Sequence, residues 1–119
     1  MESEALEQLV VDALEDRKAR DLRVLDVREQ SSVTDVMVIA SGTSGRQVQA
    51  MAEHVVERSK AAGVQPLGVE GEEVGDWVVV DLGDVVVHVM RPEVRDFYNL
   101  EKLWSVEALA DDAPADAEG

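Results

Sequence analysis

The hydropathy pattern of this 119-residue chain predicts a single α/β domain, a sandwich built around a mixed sheet of about five strands. Three observations carry that reading. The run Val36 to Ala40 is apolar without interruption, as in a strand buried on both faces. Apolar positions at helical spacing follow at once, from Val48 to Ser59. Further on, Trp77 to Leu82 and Val85 to Met90 flank Gly83-Asp84, a favoured two-residue hairpin turn. A chain of this length buries one core and is short for two.

Taken in order, Leu6, Leu9, Val10, Ala13 and Leu14 mark one face of a first helix that runs into Arg17-Lys18, where cations suit the helix dipole. Leu22 to Val27 reads as a strand and Gln30-Ser31-Ser32 as a loop. The strand Val36 to Ala40 is expected at the centre of the sheet. A second helix, from about Gly45 to Ala62, turns Val48, Met51, Ala52, Val55, Val56 and Ser59 inward, and Gly63 stops it. The strand, helix, strand order then predicts a right-handed crossover to Leu67-Gly68-Val69. After the hairpin, Arg91-Pro92 opens a short helix in which Phe97, Leu100 and Leu103 fall near helical spacing, as a core-facing stripe. The domain is expected over residues 1–106, and the Ala- and Asp-rich remainder, 107–119, as an acidic disordered tail.

Composition narrows the partners. The formal net charge is −15, from 26 acidic against 11 basic residues. Binding to a nucleic-acid backbone depends on Lys and Arg neutralising phosphates, so no direct nucleic-acid contact is expected and a basic partner fits better. Most of the acids make a solvated surface. Those near Trp77 and Tyr98 are the candidates for steering a basic protein into place. There is no cysteine, hence neither a disulfide framework nor a thiolate metal site. No apolar run approaches the roughly 20 residues that span a bilayer. Met1-Glu2-Ser3-Glu4 has no signal-peptide character, so a soluble cytoplasmic protein is the expectation.

Catalytic chemistry finds few footholds. The turn Ser41-Gly42-Thr43-Ser44-Gly45 opens a helix, and with Arg46 it could hold a phosphate, which makes a nucleotide- or phosphate-binding transferase the alternative function. Helix initiation alone explains Ser44 and Gln47, which fit a capping box. A P-loop would need a Gly-Lys-Ser/Thr ending that is absent. Metal-dependent nucleotidyl transfer needs two carboxylates facing the same way on one strand. Glu70-x-Glu72 lies in a Gly-rich loop, and Asp81 with Asp84 has the wrong spacing. His54 and His88 are the only imidazoles; His54 is expected to be exposed beside the second helix's stripe, and His88 to be a hydrogen-bonded strand residue. Neither a cofactor nor a metal is called for.

The aromatics carry the sharpest signal. Apart from Trp77 they fall within eight residues, Phe97 to Trp104. The stretch Asp84 to Trp104, with Val85-Val-Val-His-Val-Met90, Arg91-Pro92 and Phe97-Tyr98, resembles the C-terminal signature of the ribosomal silencing factor (Iojap) family. Thr34 to Ala50, with Ser41-Gly-Thr-Ser44 and Arg46-Gln47, resembles that family's N-terminal signature, and Glu70-Gly71 and Trp77-x-x-x-Asp81 match elements between them. The resemblance implies a nucleotidyltransferase-like topology without the catalytic metal site, and a noncatalytic translation repressor. By the same resemblance it binds the large ribosomal subunit through ribosomal protein fourteen, blocks joining with the small subunit, and is a homodimer when free. Site residues follow from chemistry and signature together. Tyr98 and Trp104, ringed by Asp96 and Glu101, read as an exposed hot spot. Trp77, Asp76, Asp81, His88 and Leu100 complete the expected partner-binding set.

Overall fold

A computed structural model of the chain describes residues 1–32 and 34–99. Its elements are α1 (Ser3–Asp16), β1 (Arg20–Asp26), β2 (Val36–Ser41), α2 (Gly45–Ala61), β3 (Gly68–Glu70), β4 (Trp77–Asp81), β5 (Val85–Met90) and α3 (Pro92–Tyr98). The five strands form one open sheet in the order β1-β2-β5-β4-β3. Only β2 and β5 pair in parallel; β1 on β2, β4 on β5 and β3 on β4 are antiparallel. The mixed five-strand α/β fold expected from the pattern is therefore the fold observed.

Alternation along the strands builds two apolar layers. Val36, Val38 and Ala40 of β2, Val78 and Val80 of β4, and Val85, Val87 and Val89 of β5 meet α1 and α2 on one face, through Leu6, Val10, Leu14, Val48, Met51 and Val55. The intervening residues Met37, Ile39 and Met90 form a smaller cluster on the other face with Val27, and Val94 of α3 packs against it. That double burial is why β2 reads as an unbroken apolar run. The middle strand, however, is β5: β2 sits one place out, because β5 pairs with it in parallel and inserts between it and β4.

Helix ends follow local chemistry. At α2, Ser44 accepts from the Gln47 amide at 3.1 Å, while the Gln47 side-chain oxygen accepts from the Thr43 amide at 2.7 Å. The capping box is present with its second arm shifted one residue back. At the other end Gly63 adopts φ 87, and Val64 and Gly63 donate to the Ser59 and Lys60 carbonyls, a Schellman stop. Helix α1 ends earlier than its basic residues suggested. Arg17 is its C-cap and Lys18 lies beyond at φ 62, so neither base is in the last turn. Gln47 donates to both their carbonyls, which ties the α1–β1 turn to the start of α2.

His54 corrects a second expectation. It is only 16 % exposed, and its Nε2 lies 3.2 Å from the Asp16 carboxylate, which also takes Arg58 at 2.9 Å. The hydrogen bond from His54, with the Arg58 charge beside it, holds the Asp16 carboxyl below its usual range. The histidine is thus a link between α1 and α2. Among the described residues no helix is long and apolar enough to cross a membrane.

Two glycines set the loops on either side of β4. In the β4–β5 hairpin Leu82 donates to Val85 across Gly83-Asp84, and Gly83 sits at φ 87, a conformation that glycine adopts without strain. Before β4, Gly71 sits at φ 85, where an added Cβ would collide with the Trp77 carbonyl oxygen. Gly63 has a similar φ but open space around it. Gly71→Ala should therefore cost more than about 2 kcal/mol and Gly63→Ala only about 1 kcal/mol, the left-handed penalty alone. Thermal melting of both variants checks this; equal losses would show that the carbonyl yields.

Candidate docking surface

One row across the sheet organises the site. Ser41 pairs with Met90, and Met90 with Trp77, so the ends of β2 and β5 and the start of β4 lie side by side. Both strands then turn at this end into helices, β2 into α2 and β5 into α3. Pro92 at the first turn of α3 suits a helix start, since its missing N–H would have no partner there. Asn99 in the left-handed conformation, its amide on the Arg95 carbonyl at 2.8 Å, ends the helix after seven residues.

Two arginines hold α3 down. The Arg91 amide donates to the Asp76 carbonyl at 3.0 Å, and its guanidinium reaches Asp76 at 3.4 Å and Glu93 at 2.9 Å. Arg95 is 7 % exposed and donates to the Ser41 hydroxyl at 2.8 Å. Arg95 is a functional residue that the sequence pattern alone did not single out. Its position one residue after an inward Val94 on a short helix was the available signal.

The aromatic surface stands on this platform. Tyr98 and Trp77 have ring centroids 4.9 Å apart, and Phe97 stands edge-on to Tyr98 at 4.9 Å and 87°. The edge-on Phe97–Tyr98 pair is a favoured arrangement of ring quadrupoles, while Trp77 and Tyr98 meet tilted at 46°. Tyr98 is 53 % exposed and Phe97 80 %. Phe97 is thus no core plug, contrary to the stripe read from spacing. The inward side of α3 is set by Val94 and Arg95, which leaves Phe97 roughly a third of a turn round. Trp77, the sequence-distant aromatic, does join Tyr98.

Beneath Trp77 lies His88, 9 % exposed on the strand beside it. The indole Nε1–H donates to His88 Nδ1 at 3.0 Å. An indole nitrogen can only donate, so the imidazole accepts at Nδ1 and carries its proton on Nε2. Burial pushes the His88 pKa down to about 4.

The remaining expected residues divide. Asp76 faces Arg91, which neutralises it, and Asp96 is exposed on the side of α3 turned away from Tyr98, lining a groove with Asp21, Leu22, Arg23, Ser41 and Pro92. Asp81 is separated from this surface: it lies four residues along β4, about 13 Å away, where it accepts from the Gly83 amide in the hairpin turn. Leu100, Glu101, Trp104 and the 107–119 tail lie outside the described residues. In the Ser41–Arg46 turn, the Ser41 hydroxyl takes Arg95, Ser44 caps α2 and the Thr43 amide meets Gln47. Among the described residues no three His, Asp or Glu side chains converge as a metal site.

The His88 pair makes a pH prediction. The folded pKa lies below the ordinary 6.5, so the unfolded chain takes up the proton first. Stability is full above about pH 6.5 and falls as pH drops toward about 4, by about 1.4 kcal/mol per unit for this group. An NMR titration should show the ring neutral through that window, and Trp77→Phe should cost about 1–3 kcal/mol by stranding a buried acceptor. Titration of His88 near 6.5 would contradict the buried pairing.

Comparison with known proteins adds the identity of the frame. The family model described as "Ribosomal silencing factor during starvation" matches residues 1–118. The chain is 49% identical over 104 residues to a ribosomal silencing factor of Chromobacterium violaceum, covering 87% of this chain and 85% of that one. A crystal structure of a Chromobacterium violaceum protein superposes with a TM-score of 0.86 at 49% identity, covering 87% of each chain. A mouse protein named for mitochondrial assembly of the ribosomal large subunit is 38% identical over 106 residues, 87% of this chain and 46% of its own length. With the matched residues running through both helical turns, the hairpin and the aromatic helix, the chain belongs to the ribosomal silencing factor family.

Proposed function

We propose that this protein binds the large ribosomal subunit through ribosomal protein fourteen and, from that position, sterically prevents joining with the small subunit, so repressing translation. The observation that carries the docking part is the ring cluster in which the exposed Tyr98 and Phe97 of a braced helix meet the half-buried Trp77 of β4. Large rigid rings, part buried and ringed by charge, are the usual chemistry of an interface hot spot. Membership of the ribosomal silencing factor family supports the ribosome as the partner, and the name of the mouse relative points to the large subunit. The surplus of 15 negative charges favours a basic protein surface as the immediate target.

Asp96 and Trp77 are part of that proposed contact, with His88 supporting Trp77 from below. Leu100, Glu101 and Trp104 extend it along the chain, and Asp76 contributes through Arg91 by bracing α3. Blocking of subunit joining requires affinity and bulk, so no catalytic step enters the mechanism. Cytoplasmic residence follows from the same reading, and so does a homodimeric free state. The open edges of β1 and β3 are surfaces on which two copies could pair.

Sedimentation with separated subunits tests the proposal: the protein should travel with the large subunit and lower the fraction of joined ribosomes. Association with the small subunit alone, or unchanged joining at saturating protein, would overturn it. Phe97→Ala and Tyr98→Ala should each weaken large-subunit binding by about 2 kcal/mol or more. Phe97→Ala should alter stability by no more than about 0.5 kcal/mol, as expected of an exposed side chain. An early melt with normal binding for either variant would place the ring in the core and the contact elsewhere.

A further inference from the structure

We infer that the corner formed by Arg17, Lys18, Arg20 and Arg46 contacts an RNA phosphate backbone beside the protein surface gripped by the aromatic cluster. The inference rests on the docking reading above and reverses the expectation, drawn from net charge, that nucleic acid is not touched.

The starting observation is a set of cations that the fold leaves unneutralised in a chain of 26 acids. Arg28 pairs with Asp26 and Asp35, Arg58 with Asp16, and Arg91 with Asp76 and Glu93. Arg23 and Arg95 have partners of their own. Among the described residues, Arg17, Lys18, Arg20 and Arg46 are all exposed and none is in an ion pair. Asp16, the acid next to Arg17, is already occupied by His54 and Arg58. The flanking acids Glu15 and Asp21 are exposed and reduce the positive potential without pairing.

Topology gathers these four from two separate stretches of chain. Gln47 binds the Arg17 and Lys18 carbonyls, which lays the α1–β1 turn along the first turn of α2. Arg20 pairs with Ser41, the residue where β2 leads into that helix. Arg46 is within the first turn itself, and no acid accompanies it there. That placement opposes the helix dipole, which favours Asp or Glu at this end. Folding alone does not select an arginine there.

Position relative to the aromatic surface then chooses the partner. Arg20, Ser41, Met90 and Trp77 lie in one row across four adjacent strands, so the corner and Trp77 share one end of the sheet, about 14 Å apart at three strand spacings. A ribosomal protein seated on the aromatics would be flanked at that distance by the RNA in which it is embedded. Charges elsewhere on the chain are screened over about 8–10 Å at moderate salt, so four local cations can meet phosphates despite the net charge. Three are arginines, whose planar fork suits phosphate oxygens.

Hydroxyl-radical footprinting of large-subunit RNA with the full chain tests this directly, alongside binding by the triple variant Arg17→Glu, Lys18→Glu, Arg46→Glu. The expected result is a short run of protected riboses with the wild-type chain, lost in the variant together with at least a tenfold drop in affinity. Arg46→Glu alone should melt at or above the wild-type temperature while binding more weakly; a lower melting temperature would make Arg46 a structural residue and remove it from the site. Wild-type binding without ribose protection, or triple-variant affinity within twofold of wild type, overturns the RNA contact and leaves the aromatic docking standing. Weakened binding without protection assigns the corner to an acidic protein surface instead. Failure of the wild-type chain to bind large subunits at all defeats the docking reading first, and this inference with it.

Discussion

The parallel pairing of β2 with β5 is the contact on which the rest of this structure depends. Parallel neighbours end at the same edge of a sheet, so the turn into α2 and the turn into α3 leave from adjacent points. That adjacency is what lets Arg95 of α3 reach the Ser41 hydroxyl at the end of β2. The antiparallel β4–β5 pair then sets Met90 beside Trp77, so that the helix following Met90 can bring Tyr98 over the indole. An antiparallel β2–β5 pair would send the two helices to opposite ends and dissolve the surface.

Most of the frame was legible because its signals are periodic and local. The apolar run of β2, the stripe of α2 and the Gly83-Asp84 turn each specify their element through a few neighbouring residues. Misreadings arose where tertiary partners decide. Phe97 has helical spacing with Leu100 and Leu103, yet the short α3 is oriented by the Arg95 and Arg91 anchors, and these turn Phe97 to solvent. His54 looked exposed from its place on the helix wheel, and only the end of α1 arriving beside it supplies the Asp16 carboxylate. Asp81 was grouped with Trp77 by their shared motif, but strand geometry carries its side chain to the far turn. The Trp77–Tyr98 pair lies 21 residues apart in sequence, and no local pattern predicts it.

Charge tells a parallel story. A net of −15 suggests uniform acidity, but a sum conceals distribution. Among the described residues ion pairs absorb several of the bases, and of the exposed bases in no ion pair all but Lys60 gather at the sheet end that also bears the aromatics. The proposed site would combine rings for affinity, exposed acids for approach to a basic protein, and a separate cationic edge. Specificity in such an arrangement comes from matching all three at once.

The central claim is that docking uses the aromatic end of the sheet. Hydrogen exchange of the free chain and of the chain saturated with large ribosomal subunits tests it most directly, because amide protection reports which segments become covered. The account predicts slowed exchange in segments 74–79 and 91–99, with the outer faces of α1 and α2 unchanged beyond their first-turn neighbours. Protection confined to those outer helix faces, with 91–99 exchanging as in the free chain, would contradict it.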